Sequence, residues 1–375
     1  MAIVTLVLCF GAGAARAETS VIATVNAETP IAAGGGWLVW SVPVVGGWGL
    51  EAYHGGTLHP IRVATRPQPF DVSVGTDARG GPVATFSRCS TTPKMRDVGE
   101  TAVTGGSLLE PQTGAGCRIH VLELQSGREA QTPIPHPAGA SDTTPSIWRG
   151  SVAFARRAPG HGDVWQVMMW SPKDPHVLKT LRHGAIPSHC RLEPGGCTVP
   201  AHGRVETLTR NAAIVTFLWQ VESPGVVSEG AWEVRVDDLA NGHSSLAEAG
   251  FGHEACTGPL RGLENVWPEP PVADGRSVLF PELEGFACFR SFASVLGSYR
   301  AGAKRSSSGV LTDIVLGLAE DGGVIYGLVP PPAPPGADSP SCSATAPCAL
   351  ERIVRPRLSP DKYTPAPPFV EYFTH

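Results

Sequence analysis

A chain of 375 residues has room for two average domains or for one long all-β repeat array. Its 29 basic and 34 acidic residues leave a net charge of −5, so nothing in the overall balance drives it toward nucleic acid or an anionic membrane surface. Gly (44) and Pro (36) punctuate apolar runs instead of forming tracts, which excludes a low-complexity chain and favours turn-rich β-structure.

Residues 1–17 read as a secretory signal peptide. Ala2 to Ala14 is a mostly apolar run too short to span a bilayer, and Ala15-Arg16-Ala17 supplies a small-residue cleavage site. No Lys or Arg precedes the run, so the positive end falls to the terminal amine or to residues upstream. Leu8 before Cys9 argues against a lipoprotein anchor. No later apolar run reaches the roughly 18 residues of a membrane helix, and no membrane span is expected.

A motif then recurs along the chain: a Gly- or Asn-bearing turn followed by a short apolar strand ending in an aromatic. Its copies are 35–40 (GGWLVW), 80–86 (GGPVATF), 150–154 (GSVAF), 211–217 (NAAIVTF), 274–280 (DGRSVLF) and 321–326 (DGGVIY). The closing aromatics are Trp40, Phe86, Phe154, Phe217, Phe280 and Tyr326, roughly 45 to 70 residues apart, against about 40 to 50 for a propeller blade before insertions. A second β-like run follows each copy, as at 50–53, 117–124, 164–169, 232–236, 292–296 and 350–354. Several alternate apolar with polar, the period of a half-buried strand. Weaker strands follow at 126–132 and 176–181. Pro-containing strands precede the copies at 69–74, 144–148 and 267–272. Four antiparallel strands repeated six times predict an all-β fold, a six-bladed β-propeller of four-stranded blades spanning residues 18–360.

Closing the ring requires one blade built from both chain ends, because an open ring leaves strand edges exposed. The favoured closing strand is 19–25 (TSVIATV); the alternative is the tail around 369–373 (FVEYF). From Ser359 the chain turns Pro-rich and is expected to lie over the surface, with residues 361–375 as a tail.

The repeats at 145–154 (PSIWRGSVAF) and 270–280 (PPVADGRSVLF) resemble the TolB-type, or WD40-like, propeller repeat: Pro, a turn with Gly, an apolar strand ending in Phe, then an aromatic-rich strand such as 164–167 (VWQV). The other copies match loosely. The resemblance covers about residues 20 to 360 and implies an exported six-bladed propeller acting as a binding scaffold. It departs from TolB itself in lacking an N-terminal α/β domain and in its cysteines, so no role in the Tol machinery is carried over.

With Cys9 removed, eight cysteines remain, an even number that favours disulfides in an exported chain. Eight allow 105 pairings. Spacing suggests the nearest-neighbour set Cys89–Cys117, Cys190–Cys197, Cys256–Cys288 and Cys342–Cys348. In an up-and-down blade the first-to-second and third-to-fourth turns share one face, and the second-to-third and inter-blade loops share the other. The tight turns at Arg149-Gly150, Asp274-Gly275 and Gly322-Gly323 belong to the first face. The long excursions 90–116, 184–203, 250–263 and 330–347 belong to the second and carry the cysteines. Long stapled loops on a rigid scaffold are where binding function concentrates. The candidate binding residues there are Lys94, Arg96, Glu100, His183, His189, Arg191, Glu193, His253, Glu254 and Arg261.

Catalytic motifs are absent. There is no G-x-S-x-G elbow, no H-E-x-x-H (His253-Glu254 lacks the second His), no Walker loop and no EF-hand loop. His183, His189, Cys190 and Cys197 have the composition of a zinc site, but paired cysteines in an exported chain make a disulfide the better reading. Glu282 and Glu284 resemble a glycosidic acid pair and are better read as solvated loop acids. Trp40, Trp148, Trp165, Trp219, Trp232 and Trp267 fall at strand positions and serve packing. Only Trp48 and Trp170 are candidates for a carbohydrate platform. No cofactor or metal is expected. The expected function is a secreted or periplasmic, non-enzymatic binding scaffold for a protein or an extracellular or envelope ligand. The alternative is a propeller hydrolase or lyase acting on polysaccharide or a lactone at the channel mouth.

Overall fold

The computed structural model describes residues 21–91, 114–158, 165–183, 202–222, 230–252, 265–268, 270–286, 291–332 and 341–360. Every regular element among them is a β-strand, and none is a helix long and apolar enough to cross a membrane. Strand β1 (Val21–Val25) comes first in the chain. Blade 1 holds β2 (Ile31–Gly34), β3 (Trp37–Val44), β4 (Gly47–His54) and β5 (Thr57–Arg66). Blade 2 holds β6 (Ser73–Thr76), β7 (Pro82–Arg88), β8 (Arg118–Glu123) and β9 (Glu129–Gln131). Blade 3 holds β10 (Ser141–Trp148), β11 (Ser151–Arg157), β12 (Trp165–Trp170) and β13 (Leu178–His183). Blade 4 holds β14 (His202–Arg210), β15 (Ile214–Glu222), β16 (Gly230–Asp238) and β17 (Ser244–Gly252). Blade 5 holds β18 (Asn265–Pro268), β19 (Val272–Asp274), β20 (Ser277–Phe286), β21 (Ser291–Arg300) and β22 (Ser307–Val310). Blade 6 holds β23 (Leu318–Asp321), β24 (Val324–Val329) and β25 (Cys348–Ile353). A last short strand, β26 (Ser359–Pro360), completes the series.

All pairings are antiparallel, and the first strand of each blade touches the first strand of the next around a closed ring: β2, β6, β10, β14, β19, β23 and back to β2. This is a six-bladed propeller with the first strands innermost. The sixth blade is closed by β1, which pairs with β25 (Val25 opposite Cys348) as its outermost strand. The N-terminal strand therefore closes the ring. The C-terminal segment is placed differently from the expectation for Ser359: β26 pairs with β22, with Ser359 opposite Ser308, and extends the outer edge of blade 5.

Each repeated aromatic lies on the second strand of its blade. Trp40, Phe86, Phe154, Phe217 and Phe280 are fully buried, and Tyr326 is half-buried. The apolar clusters explain why. Trp37 and Val39 pack with Phe70, Phe86 and Leu122 between blades 1 and 2, while Leu38 and Trp40 pack with Leu328 and Leu350 between blades 1 and 6. Equivalent clusters fill the other four junctions. A strand sends successive side chains to opposite faces, and here both faces of the sheet are covered by neighbouring blades. The second strands therefore read as unbroken apolar runs.

Proline sets the irregularities. The innermost strand leaves one edge unpaired toward the channel, which tolerates a residue without an N–H. Pro145 sits there in β10, inside a register shift between Thr143 and Ser146, with Thr144 at φ 46°. In blade 5 the expected strand 267–272 is split in two, β18 and β19, around the Pro-rich segment 268–271, and both pieces pair with β20. Glu282 and Glu284 lie within β20, not in a loop as expected, because the strand runs on to Phe286 against β21.

Candidate functional site

The ring has two faces. One carries the tight turns. Gly35 and Gly36, at φ 60° and 80°, make the turn of blade 1, and Arg149-Gly150, at 47° and 76°, makes that of blade 3. Two successive positive φ values are the signature of the hairpin turn whose twist matches the strands. The other face carries the strand ends that flank the long excursions. The bond Cys89–Cys117 joins the end of β7 to the start of β8, and Cys342–Cys348 anchors the segment entering β25.

Most of the binding residues named from the sequence lie outside the described residues: Lys94, Arg96, Glu100, His189, Arg191, Glu193, His253, Glu254 and Arg261. So do Cys190, Cys197, Cys256 and Cys288. His183 ends β13, its Cα opposite Gln166, so its backbone is on the long-loop side of blade 3.

The polar groups described beneath that face are committed to each other. Asp71 lies just before the innermost strand of blade 2. Its Oδ1 accepts from Arg66 Nη1 at 3.2 Å and from the Ser87 N–H at 2.9 Å, and its Oδ2 accepts from the Thr144 N–H at 2.9 Å. One carboxylate thus ties blades 1, 2 and 3 together. Burial pushes Arg66 down to about 10, and Asp71 opposes that shift. In blade 3, Asp142 takes a two-point contact from Arg156, at 2.6 and 2.7 Å. Burial raises the Asp142 carboxyl, against the pull of Arg156 and then of His136, whose Nε2 lies 3.8 Å away and 2.9 Å from the Cys117 carbonyl. Further out in blade 2, Arg88 clasps Glu129 at 2.5 and 2.8 Å, with His120 Nδ1 2.7 Å from the same carboxylate.

Between the faces, the innermost strands of blades 2 to 4 are rich in hydroxyls. Ser73 Oγ donates to Ser146 Oγ at 3.1 Å, and the Arg210 N–H donates to the same Ser146 oxygen at 2.9 Å. The buried hydroxyls of Thr143, Thr144 and Thr207 have no hydrogen-bond partner. Among the described residues no three His, Cys, Asp or Glu side chains are grouped to hold a metal ion.

The turn face carries charges of both signs, with Arg276 in the same turn as Asp274 and paired with Asp238 of blade 4. Asp274, Glu320 and Asp321 stand on blades 5 and 6. Asp321 accepts from the N–H groups of Gly35 and Gly36 at 3.1 and 2.7 Å, fastening blade 6 to blade 1. Asp274 pairs with Arg355 at 2.7 Å. Burial raises the Glu320 carboxyl, opposed by the Gly323 N–H at 2.6 Å and reinforced by Asp274 and Asp321. Blades 2 to 4 carry Arg79, Arg149 and Arg210. Asp77 in the blade 2 turn is occupied by the N–H groups of Arg79 and Gly81, both at 2.8 Å.

Trp170 does not form a ligand platform. It is buried between blades 2 and 3, and its indole N–H donates to the Pro175 carbonyl at 3.1 Å. Trp48 is half-buried against the core between blades 1 and 2. Both pack because their strands lie inside inter-blade junctions. Spacing and motifs do not single out Asp71, Asp142 or Arg210. The first two precede or open innermost strands where a charge looks solvated, and Arg210 is a single basic residue closing a Thr-rich strand before the Asn211 turn.

No protein-family model matches the chain, so the TolB-like look of the repeats has no family match behind it, and no curated protein matches either. Solved structures resemble it in fold. An acylaminoacyl peptidase from Pyrococcus horikoshii is 11% identical, with a TM-score of 0.40, over 86% of this chain and 44% of that one. The β-propeller domain of the trilobed protease from Pyrococcus furiosus is 9% identical, with a TM-score of 0.41, over 91% of this chain and 100% of that domain. The chain thus spans less than half the length of the peptidase. Likenesses at this level carry no argument about activity.

Proposed function

We propose that the protein is an exported, disulfide-stabilised propeller that binds a protein or an extracellular or envelope ligand through its long-loop face without turning it over. In this reading residues 1–17 are a removed signal peptide, 18–360 a propeller of TolB-like repeats, and 361–375 a Pro-rich tail. The protein then works in the periplasm or outside the cell. The observation that carries the reading is the state of the scaffold under that face. Asp71 and Asp142 are spent on clamps within and between blades, and Cys89–Cys117 closes the base of the loop between β7 and β8. That arrangement supplies a rigid platform for presenting loops.

The test uses residues 18–375 expressed under oxidising conditions. The protein is screened for turnover of polysaccharides and lactones, and for retention on immobilised envelope and extracellular fractions. A double variant, Arg191→Glu with Arg261→Glu, is run in parallel. Retention that is lost in the variant, at an unchanged melting temperature, supports the reading. Turnover of a panel substrate replaces it with a hydrolase or lyase, and retention equal in both proteins removes the long-loop face as the site.

A further inference from the structure

Arg210 is the anomaly of the described structure. It closes β14, the innermost strand of blade 4, and is largely enclosed. Burying a guanidinium is costly unless a carboxylate or several good acceptors compensate it. Arg66 and Arg156, the arginines buried most deeply, each face an aspartate. Arg210 faces none. Its Nε and Nη2 each lie 3.4 Å from the Asn211 carbonyl oxygen, at the long limit of a hydrogen bond, and its Nη1 is buried with no acceptor. Burial alone sets its ionisation, pushing it down to about 10, with no neighbouring charge acting on it. Arg66 reaches the same value with an aspartate in contact.

The side chains of Ser146 and Asn211 beside it offer no free acceptor. Ser146 Oγ already accepts from Ser73 Oγ and from the Arg210 N–H, so its two lone pairs are used and its own hydrogen is left to give. The Asn211 side chain is spent: Oδ1 accepts from the N–H groups of Ala213 and Ile214, and Nδ2 donates to the Gly275 carbonyl. An enclosed cation with one donor unmatched and a hydroxyl hydrogen unassigned beside it, with no acid among them, form a site that lacks its anion.

We propose that Arg210, supported by Ser146, anchors an oxyanion site where blades 3 and 4 meet at the turn-face mouth of the channel. The ligand group is a carboxylate or a phosphate, which the planar guanidinium fork matches. One enclosed guanidinium suits a single compact anionic group. This site is on the face opposite the stapled loops and does not depend on their function.

The experiment titrates residues 18–375 with inorganic phosphate and, separately, with propionate, at constant ionic strength set with chloride. The readouts are the melting temperature and the arginine Nε–H resonances of arginine-labelled protein. Binding is expected to raise the wild-type midpoint saturably and to shift one arginine resonance. The stronger of the two responses identifies the source as phosphate or carboxylate. Arg210→Met is expected to melt no lower than wild type in chloride, because it removes an uncompensated buried charge. It is also expected to weaken the anion response at least about tenfold, the loss of one charge-assisted contact. Equal stabilisation of wild type and variant is a general salt effect and overturns the site, as does a flat titration with both anions. Should Arg210→Met fail to fold, the wild-type resonance titration and Ser146→Ala decide. A resonance that does not move, or an affinity indifferent to Ser146, rejects the proposal.

Discussion

Single atoms decide how closely the blades can stand. Gly75 lies in β6, and a Cβ there would sit 2.1 Å from the Ile147 carbonyl oxygen of β10, in the next blade. That neighbour is backbone and cannot rotate away, so Gly75→Ala must push blades 2 and 3 apart. The expected loss is about 2–3 kcal/mol, the scale of overpacking a tight core, read as a lowered denaturant midpoint. Gly317→Ala is the control. No atom lies within 4 Å of its Cβ position, and its φ is not in the left-handed region, so it should be neutral or slightly stabilising. Equal midpoints for the two variants would mean that the inner ring yields more easily than this packing implies. The turn glycines are legible in the sequence, because two in a row between apolar strands announce a hairpin. Gly75 is not, since its constraint comes from a carbonyl 72 positions away in the chain (147 − 75).

At the scale of elements, the two described disulfides differ in what they close. Cys89 and Cys117 are 28 positions apart, Cys342 and Cys348 only 6. On the chain-entropy account the first restrains the unfolded chain by about 3.6 kcal/mol and the second by about 2.2. Replacing each pair by alanine should therefore lower the melting temperature in both cases, and more for Cys89/Cys117. The reverse order would show that the short bridge matters through native packing at the buried Cys348 and not through loop closure. Element identity is legible from residues such as Trp37 to Trp40, whose neighbours in sequence point to two different junctions. The split of blade 5's first strand into β18 and β19 is less so. Proline marks an interruption, but whether the strand resumes depends on β20 offering a partner on both sides of it.

The whole molecule is a ring, and its integrity rests on one strand from the far end of the chain. β1 covers the edge of β25 and buries Ala23 and Val25 in the junction between blades 6 and 1. Deleting residues 18–26 should expose that edge, lower the melting temperature and promote self-association, since an unpaired strand edge recruits other strands. Size-exclusion chromatography beside a thermal melt checks this, and a monomer of unchanged stability would show that the ring holds without its closing strand. The sequence by itself determined the repeat, the number of blades and the hairpin turns, and narrowed the closing strand to two candidates, because these follow from local periodicity, glycine punctuation and the need to pair every edge. Only the tertiary structure decided which charges are spent and which is left over. Asp71 is answered by Arg66, Ser87 and Thr144 from three blades, while Arg210 is answered by no acid. Compensation of a buried charge depends on distances between residues far apart in the chain, and composition and spacing carry no record of those distances.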